Sequence, residues 1–172
     1  MNSELFLETA RFKNVMQKVA KNAGWGKKLP AGKGMGIAVH YSFFSYVAQV
    51  VEVTINGDDI KVDKVYCVID CGTAINKDAV IAQMEGGIIF GLSLAKYGKI
   101  TATNGIIDQT NFSEYQVARM SDAPEIDVEV IDIEDSPTGV GEPGVPPFAP
   151  ALVSAIHAAT GKWYTDLPLV KV

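Results

Sequence analysis

Apolar residues first fall into register at Phe12, Val15, Met16, Val19, Ala20 and Ala23. This is the i, i+3, i+4, i+7 spacing of an amphipathic helix, and Gly24 is a natural stop. A Gly- and Lys-rich loop is expected over 25–36. Residues 37–55 are dense in Val, Phe, Tyr and Ile and read as one or two strands. Asn56-Gly57 marks a hairpin, with 60–70 as the returning strand. Over 76–97, Val80, Met84 and Ile88 restore helical spacing behind a capping Asn76. Gly86, Gly87 and Gly91 interrupt that helix, and each costs roughly 1 kcal/mol relative to alanine. Close approach of a backbone or a ligand is the usual compensation. Two short strands are expected at 99–103 and 106–110 around Asn104-Gly105. Ile126, Val128 and Val130 alternate with Asp127 and Glu129, the period of a half-buried strand. A long loop over 132–150 precedes an apolar helix at 151–160 that ends at Gly161. The order predicts one α+β domain over residues 1–172, a mixed sheet with helices packed on one face.

Composition narrows the function. A net charge of −5 and 15 Lys+Arg against 20 Asp+Glu oppose a nucleic-acid footprint. No apolar run reaches the ~20 residues of a bilayer span, so no membrane span is expected. The start MNSELFLETARFK has no basic segment followed by an apolar one, and no signal peptide is expected there. Cys67 and Cys71 do not form C-x-x-C and are expected to be buried, reduced residues. His40 and His157 lie in apolar contexts without a second ligand at metal spacing. Lys33, in AGKGMG, lacks the Walker pattern. Asp70 is expected to order the turn after its strand.

Chemistry concentrates in GVGEPGVPP, from Gly139 to Pro147. Gly139, Gly141 and Gly144 fit G-x-G-x-x-G, but a dinucleotide turn needs a strand running into the glycines and a helix opening on the third. EDSPT intervenes on one side, and Pro146-Pro147 deny the other side free N–H groups. Proline fixes φ and glycine permits close turns, so the loop is better suited to display one carboxylate, Glu142, between Gly141 and Pro143. A preorganised carboxylate suits a general base. On composition alone, an ordinary solvated turn glutamate remains open.

GVGEPGVPPFAPALVSAI resembles the C-terminal active-site segment of the molybdenum-binding subunit of xanthine oxidase-type molybdenum hydroxylases. GIAVHYSFFSYVAQVVEV, VIDCGTAINKDAVIAQMEGGIIFGLS and ATGKWYTDLPL follow in family order and resemble the isoquinoline 1-oxidoreductase beta-subunit branch. The resemblance runs from about Phe12 to Leu169. It implies a molybdenum cofactor held by a pterin, in the cytosine dinucleotide form, and hydroxylation of an N-heterocycle or aldehyde with water as oxygen source. It makes Glu142 the glutamate that takes the proton from that oxygen. QMEGG resembles the helix that brings a glutamine amide to the cofactor, which makes Gln83, Gly86, Gly87 and Gly141 the expected cofactor-binding residues.

The family subunit is several times longer, and its upstream segments, including a glutamine from its first half, have no counterpart here. The cysteines for [2Fe–2S] centres are also absent. The remaining part of the molybdenum subunit and a [2Fe–2S] subunit are therefore the expected partners, and the isolated chain is expected to be inactive and not to hold the cofactor tightly. Cytoplasm and periplasm both stay open as compartments. The alternative, from a different class, is a non-catalytic fold remnant that serves as an assembly or binding module. A free nucleotide binder would need phosphate contacts at Gly139 to Gly144.

Overall fold

The computed structural model describes residues 7–169. Residues 1–6, part of the segment on which the absence of a leader was read, lie outside the described residues. Helix α1 (Thr9–Ala23) starts three residues before the first periodic position and closes at Gly24 with a left-handed residue. Strands β1 (Lys33–Ser42), β2 (Ser45–Asn56) and β3 (Asp59–Asp70) form an antiparallel meander. Helix α2 (Lys77–Lys96) then crosses over to β6 (Glu125–Ile131), which pairs parallel with β3. Between them, β4 (Ala102–Thr103) and β5 (Ile106–Ile107) form a two-residue hairpin, shorter than the pattern predicts. Helix α3 (Phe148–Thr160) completes the fold. The main sheet has the order β1-β2-β3-β6 and is mixed, as expected.

Strand alternation on β2 divides the core in two. Val47 and Val51 face α2 and α3, with Met84, Ile88, Leu92, Leu152 and Ile156 behind them. Tyr46, Ala48 and Val50 face α1 through Val15 and Val19. Two of the three helices thus share the expected face, and α1 covers the other. Sequence periodicity gives each helix an apolar stripe but not the side of the sheet it seeks, so this division was not readable in advance.

Two boundaries move for steric reasons. Residues 33–36, expected as loop, belong to β1, because α3 lies directly across them. A Cβ on Gly34 or Gly36 would collide with the carbonyls of Ala155 or Ala151. Helix α3 begins at Phe148, earlier than expected, since Pro150 falls in its first turn, where its missing N–H costs nothing. Helix α2 is long and apolar enough by composition to cross a bilayer. Here it is a core helix, with Val80, Met84, Ile88, Leu92 and Ala95 buried.

Candidate active site

The site grows from one end of the sheet. Strands β1, β3 and β6 all end there, because β1 and β6 both run parallel to β3. The turn after β1 and the loops after β3 and β6 therefore meet at their carboxyl ends, the usual ligand edge of such sheets. Backbone bonds join the loops: Thr138 N–H donates to Cys71 O at 3.0 Å, and Thr73 N–H to Asp135 O at 3.0 Å. Asp70, 1% exposed, sits beneath this junction. It accepts from Arg11 Nε at 3.0 Å and Nη2 at 2.6 Å, and from Gly72 N–H at 3.2 Å. The expected turn-ordering role of Asp70 is thus met, with an ion pair to α1 added. The hydrogen bond to Asp70 holds the Arg11 guanidinium even more firmly charged than usual.

The Gly139–Gly144 loop spans this junction under restraint. Gly139 N–H donates to Phe43 O at 3.0 Å. Gly144 packs on Met84, and its backbone lies against Gly87 of α2. Val145 N–H donates to Glu142 O at 3.0 Å, which closes the turn around Pro143. No strand runs directly into Gly139, and α3 begins at Phe148 behind two prolines. The dinucleotide arrangement is therefore not formed.

A cavity of about 590 Å³ opens beside the loop. All five expected residues line it: Gln83, Gly86 and Gly87 from α2, and Gly141 and Glu142 from the loop. Gln83 Nε2 donates to Gly141 O at 3.0 Å, a direct bond between the two segments singled out in the sequence. Glu142 and Gln83 are both exposed at the cavity mouth. The helix glycines divide by role. Gly87 and Gly91 are buried where the 144–148 segment crosses α2, so a packing segment accounts for both. Gly86 is different: a Cβ there meets nothing within 4 Å. It leaves the cavity wall bare.

Ser42, Phe43 and Phe90, none singled out in the sequence, also line the cavity, and so does His40, expected only as a core or surface histidine. Phe90 stands i+4 from Gly86 and i+7 from Gln83, so helical spacing alone marks its face. His40 comes from the end of β1, and burial holds its imidazole below the ordinary histidine value, in the neutral form at pH 7. His157 lies elsewhere, stacked on Trp163 at 3.9 Å. Cys67 and Cys71 are free and buried, as expected, and burial pushes the Cys67 thiol up to about 12. Among the described residues, no group of three His, Cys, Asp or Glu side chains is placed to hold a metal ion. The cavity is large enough for part of an organic ligand, with an amide, a carboxylate and a bare glycine wall around it.

The molybdopterin cofactor-binding domain family matches residues 7–124, a span that contains Gln83, Gly86 and Gly87 and ends before the glutamate loop. Isoquinoline 1-oxidoreductase subunit beta of Brevundimonas diminuta is 35% identical over 160 residues, covering 90% of this chain and 20% of that protein. The membrane-bound aldehyde dehydrogenase (pyrroloquinoline-quinone) of Gluconacetobacter polyoxogenes is 30% identical over 163 residues, covering 90% and 21%. The aldehyde oxidoreductase of Desulfovibrio gigas shares the fold at a TM-score of 0.64 with 23% identity, over 73% of this chain and 14% of that one. The chain thus spans about a fifth of the length of these curated relatives. With a cavity edged by Gln83 and Glu142 and these matches along its length, the chain belongs to the molybdopterin cofactor-binding domain family of the xanthine dehydrogenase-type molybdenum hydroxylases.

Proposed function

We propose that this chain forms the C-terminal part of a molybdenum hydroxylase large subunit and carries its general base, Glu142. The assembled enzyme hydroxylates an N-heterocycle or an aldehyde, with water as the source of oxygen. The observation that carries this reading is the loop itself. Glu142 is displayed at the mouth of the cavity by a turn fixed at Pro143 and bonded to the sheet and to Gln83. That is the preorganisation a general base requires.

A molybdenum cofactor bound here, in the cytosine dinucleotide form, would supply Lewis acidity and accept the two electrons released when carbon is hydroxylated by water. Gln83, Gly86 and Gly141 would hold it on this side, with Gly87 lining the same wall beneath the 144–148 segment. The Gln83 amide offers polar contact from one rim, and the bare wall at Gly86 lets a planar group lie close to α2. Glu142 takes the proton lost by the attacking oxygen onto its carboxylate. Phe43, Phe90 and Val145 give the cavity an apolar wall beside that exposed carboxylate, and the remaining part of the subunit would close the mouth to water, which sharpens the effect of each fixed charge. A [2Fe–2S] partner would take up the two electrons; Cys67 and Cys71 are buried and short of the four thiolates such a cluster takes. The remaining part of the large subunit completes the site. The 99–122 excursion offers it an apolar surface, with Phe112 and Met120 91% and 92% exposed.

The test is Glu142→Gln in the assembled enzyme. Glutamine keeps the size of the side chain and one acceptor oxygen, so the loop should keep its shape. The expected result is a turnover loss of about 10²–10⁴-fold, typical of a missing general base, at unchanged molybdenum content. A fully loaded variant with a normal rate would reduce the loop to a rigid connector.

A further inference from the structure

Three polar side chains are buried among the described hydrogen-bonding residues of the core: Ser45, Gln49 and Asp70. Asp70 is accounted for by Arg11 and the Gly72 N–H. Ser45 and Gln49 stand on the face of β2 that turns toward α2 and α3, flanked by Val47 and Val51. Both are 0% exposed. A buried amide in an aliphatic layer is unfavourable unless its groups are bonded. Gln49 meets only half of that requirement. Its Nε2 donates to Gly144 O at 2.7 Å, while its Oε1 has no partner. A methionine would fill the same space without an unmet acceptor, so core stability does not explain the glutamine.

The loop does explain it. Gln49 holds the carbonyl of Gly144, the last glycine of the turn. Ser45 Oγ donates to Gly139 O, the first, at 2.6 Å, and lies 2.7 Å from Thr138 Oγ1, which donates to it in turn. The two side chains grip both ends of the segment that displays Glu142, and each is fixed in a central strand with no freedom of its own. We infer that Ser45 and Gln49 are positioning residues, which hold the Gly139–Gly144 loop so that the Glu142 carboxylate stays in register with the cavity. The inference rests on Glu142 being the base. Tolerances of about 0.5 Å separate a working base from an idle one, and a loop held only by its own turns does not meet them.

The experiment uses amide hydrogen exchange on the 172-residue chain. Gln49→Met removes the donor and keeps the volume, and Ser45→Ala removes one oxygen. Exchange is expected to quicken roughly tenfold at Val145 N–H in the first variant and at Gly139 N–H in the second. Amides of β3, such as Val68 and Ile69, should stay within about twofold. In the assembled enzyme, both variants should lower kcat by roughly ten- to a hundredfold at nearly constant KM. Unchanged exchange in the loop overturns the inference. So does equal acceleration in the loop and in β3, which would make the two residues ordinary core. Should Gln49→Met fail to fold, Ser45→Ala decides alone, since it deletes a single atom. Glu142→Gln keeps both grips, so its exchange pattern stays that of the native chain. Failure of the grip and failure of the general base are therefore read separately.

Discussion

Gly86 and Gly91 lie on one helix, five positions apart, and the same substitution should move stability in opposite directions at the two. Alanine in a helix interior is favoured over glycine by about 0.8–1.0 kcal/mol. At Gly86 nothing opposes that gain, because a Cβ meets no atom within 4 Å. Gly86→Ala should therefore stabilise the chain by close to the full amount. At Gly91 a Cβ would lie 2.8 Å from Phe148 Cβ and 3.1 Å from Val145 O. Phe148 is fully buried and has no room to withdraw. Overpacking of this kind costs about 1–3 kcal/mol, so Gly91→Ala should come out between neutral and roughly 2 kcal/mol destabilised. Urea unfolding at 25 °C reads both. With a slope of about 1–3 kcal/mol/M, Gly86→Ala moves the midpoint up by roughly 0.3–1 M.

The value of the pair is that it separates packing from function. A glycine that packing requires is harmed by alanine everywhere. A glycine kept for a ligand improves the isolated chain and harms the enzyme. In the assembled enzyme, Gly86→Ala should lower molybdenum content despite its added stability, because its methyl enters the cavity. If Gly86→Ala destabilises the chain, the bare wall is a packing requirement after all. If it stabilises the chain and leaves molybdenum content and rate untouched, Gly86 is not a cofactor contact.

Two further outcomes follow from buried charge. Burial lowers the His40 pKa in the folded state, so the unfolded chain binds the proton more readily below pH of about 6.5, and stability should fall as pH drops through that window. His40→Gln should flatten this part of the urea-midpoint profile between pH 7 and 5; an unchanged slope refutes the assignment. Asp70→Ala strips Arg11 of its buried partner but leaves it Asp135 at 3.0 Å, so it should destabilise the chain by about 1.5–3 kcal/mol in the same assay, whereas a loss under about 0.5 kcal/mol would show that Asp135 and solvent fully replace Asp70.

Much of the site was legible because it is encoded in segments with strong local rules. The periodicity of α2 put Gln83 and Gly86 on a defined helix, and the glycines and prolines around Glu142 announced a rigid display. What the sequence withheld were consequences of long-range packing. Gly87 and Gly91 look like Gly86 in the sequence, yet only the fold shows that the 144–148 segment covers two of them and spares the third. Gln49 reads as a polar residue on an alternating strand, normally solvent-facing, and its partner Gly144 lies 95 positions away. His40, Phe43 and Phe90 enter the cavity only because β1 ends beside α2.

The turn between β1 and β2 shows most clearly why such features resist prediction. A two-residue hairpin needs positive φ at its first central position, and in the type I′ form at both, which favours Asn-Gly or Asp-Gly. The β2–β3 turn has Gly57 and Asp58 at its centre and takes the left-handed conformation at Gly57, φ 62°, where glycine carries no penalty, so Asn56-Gly57 made it readable. Phe43 and Phe44 take the required φ, 52° and 63°, but are residues that ordinarily avoid it. Each left-handed residue of this kind costs roughly 1–2 kcal/mol, and nothing within the hairpin offsets it. The compensation comes from the far end of the chain. Gly139 N–H bonds to Phe43 O at 3.0 Å, and Gly139 itself packs so closely on Phe43 that a Cβ there would fall 2.6 Å from the phenylalanine Cβ. Ser45, the first residue past the turn, bonds to Gly139 O across 94 positions. The strain of the turn and the rigidity of the glutamate loop are thus one structural fact: the turn holds its conformation because Gly139 docks on it, and the loop keeps its place because the turn does not relax. A local reading has access to the strain but not to the partner that sustains it, and strained backbone held in this way is concentrated where a site must be held still.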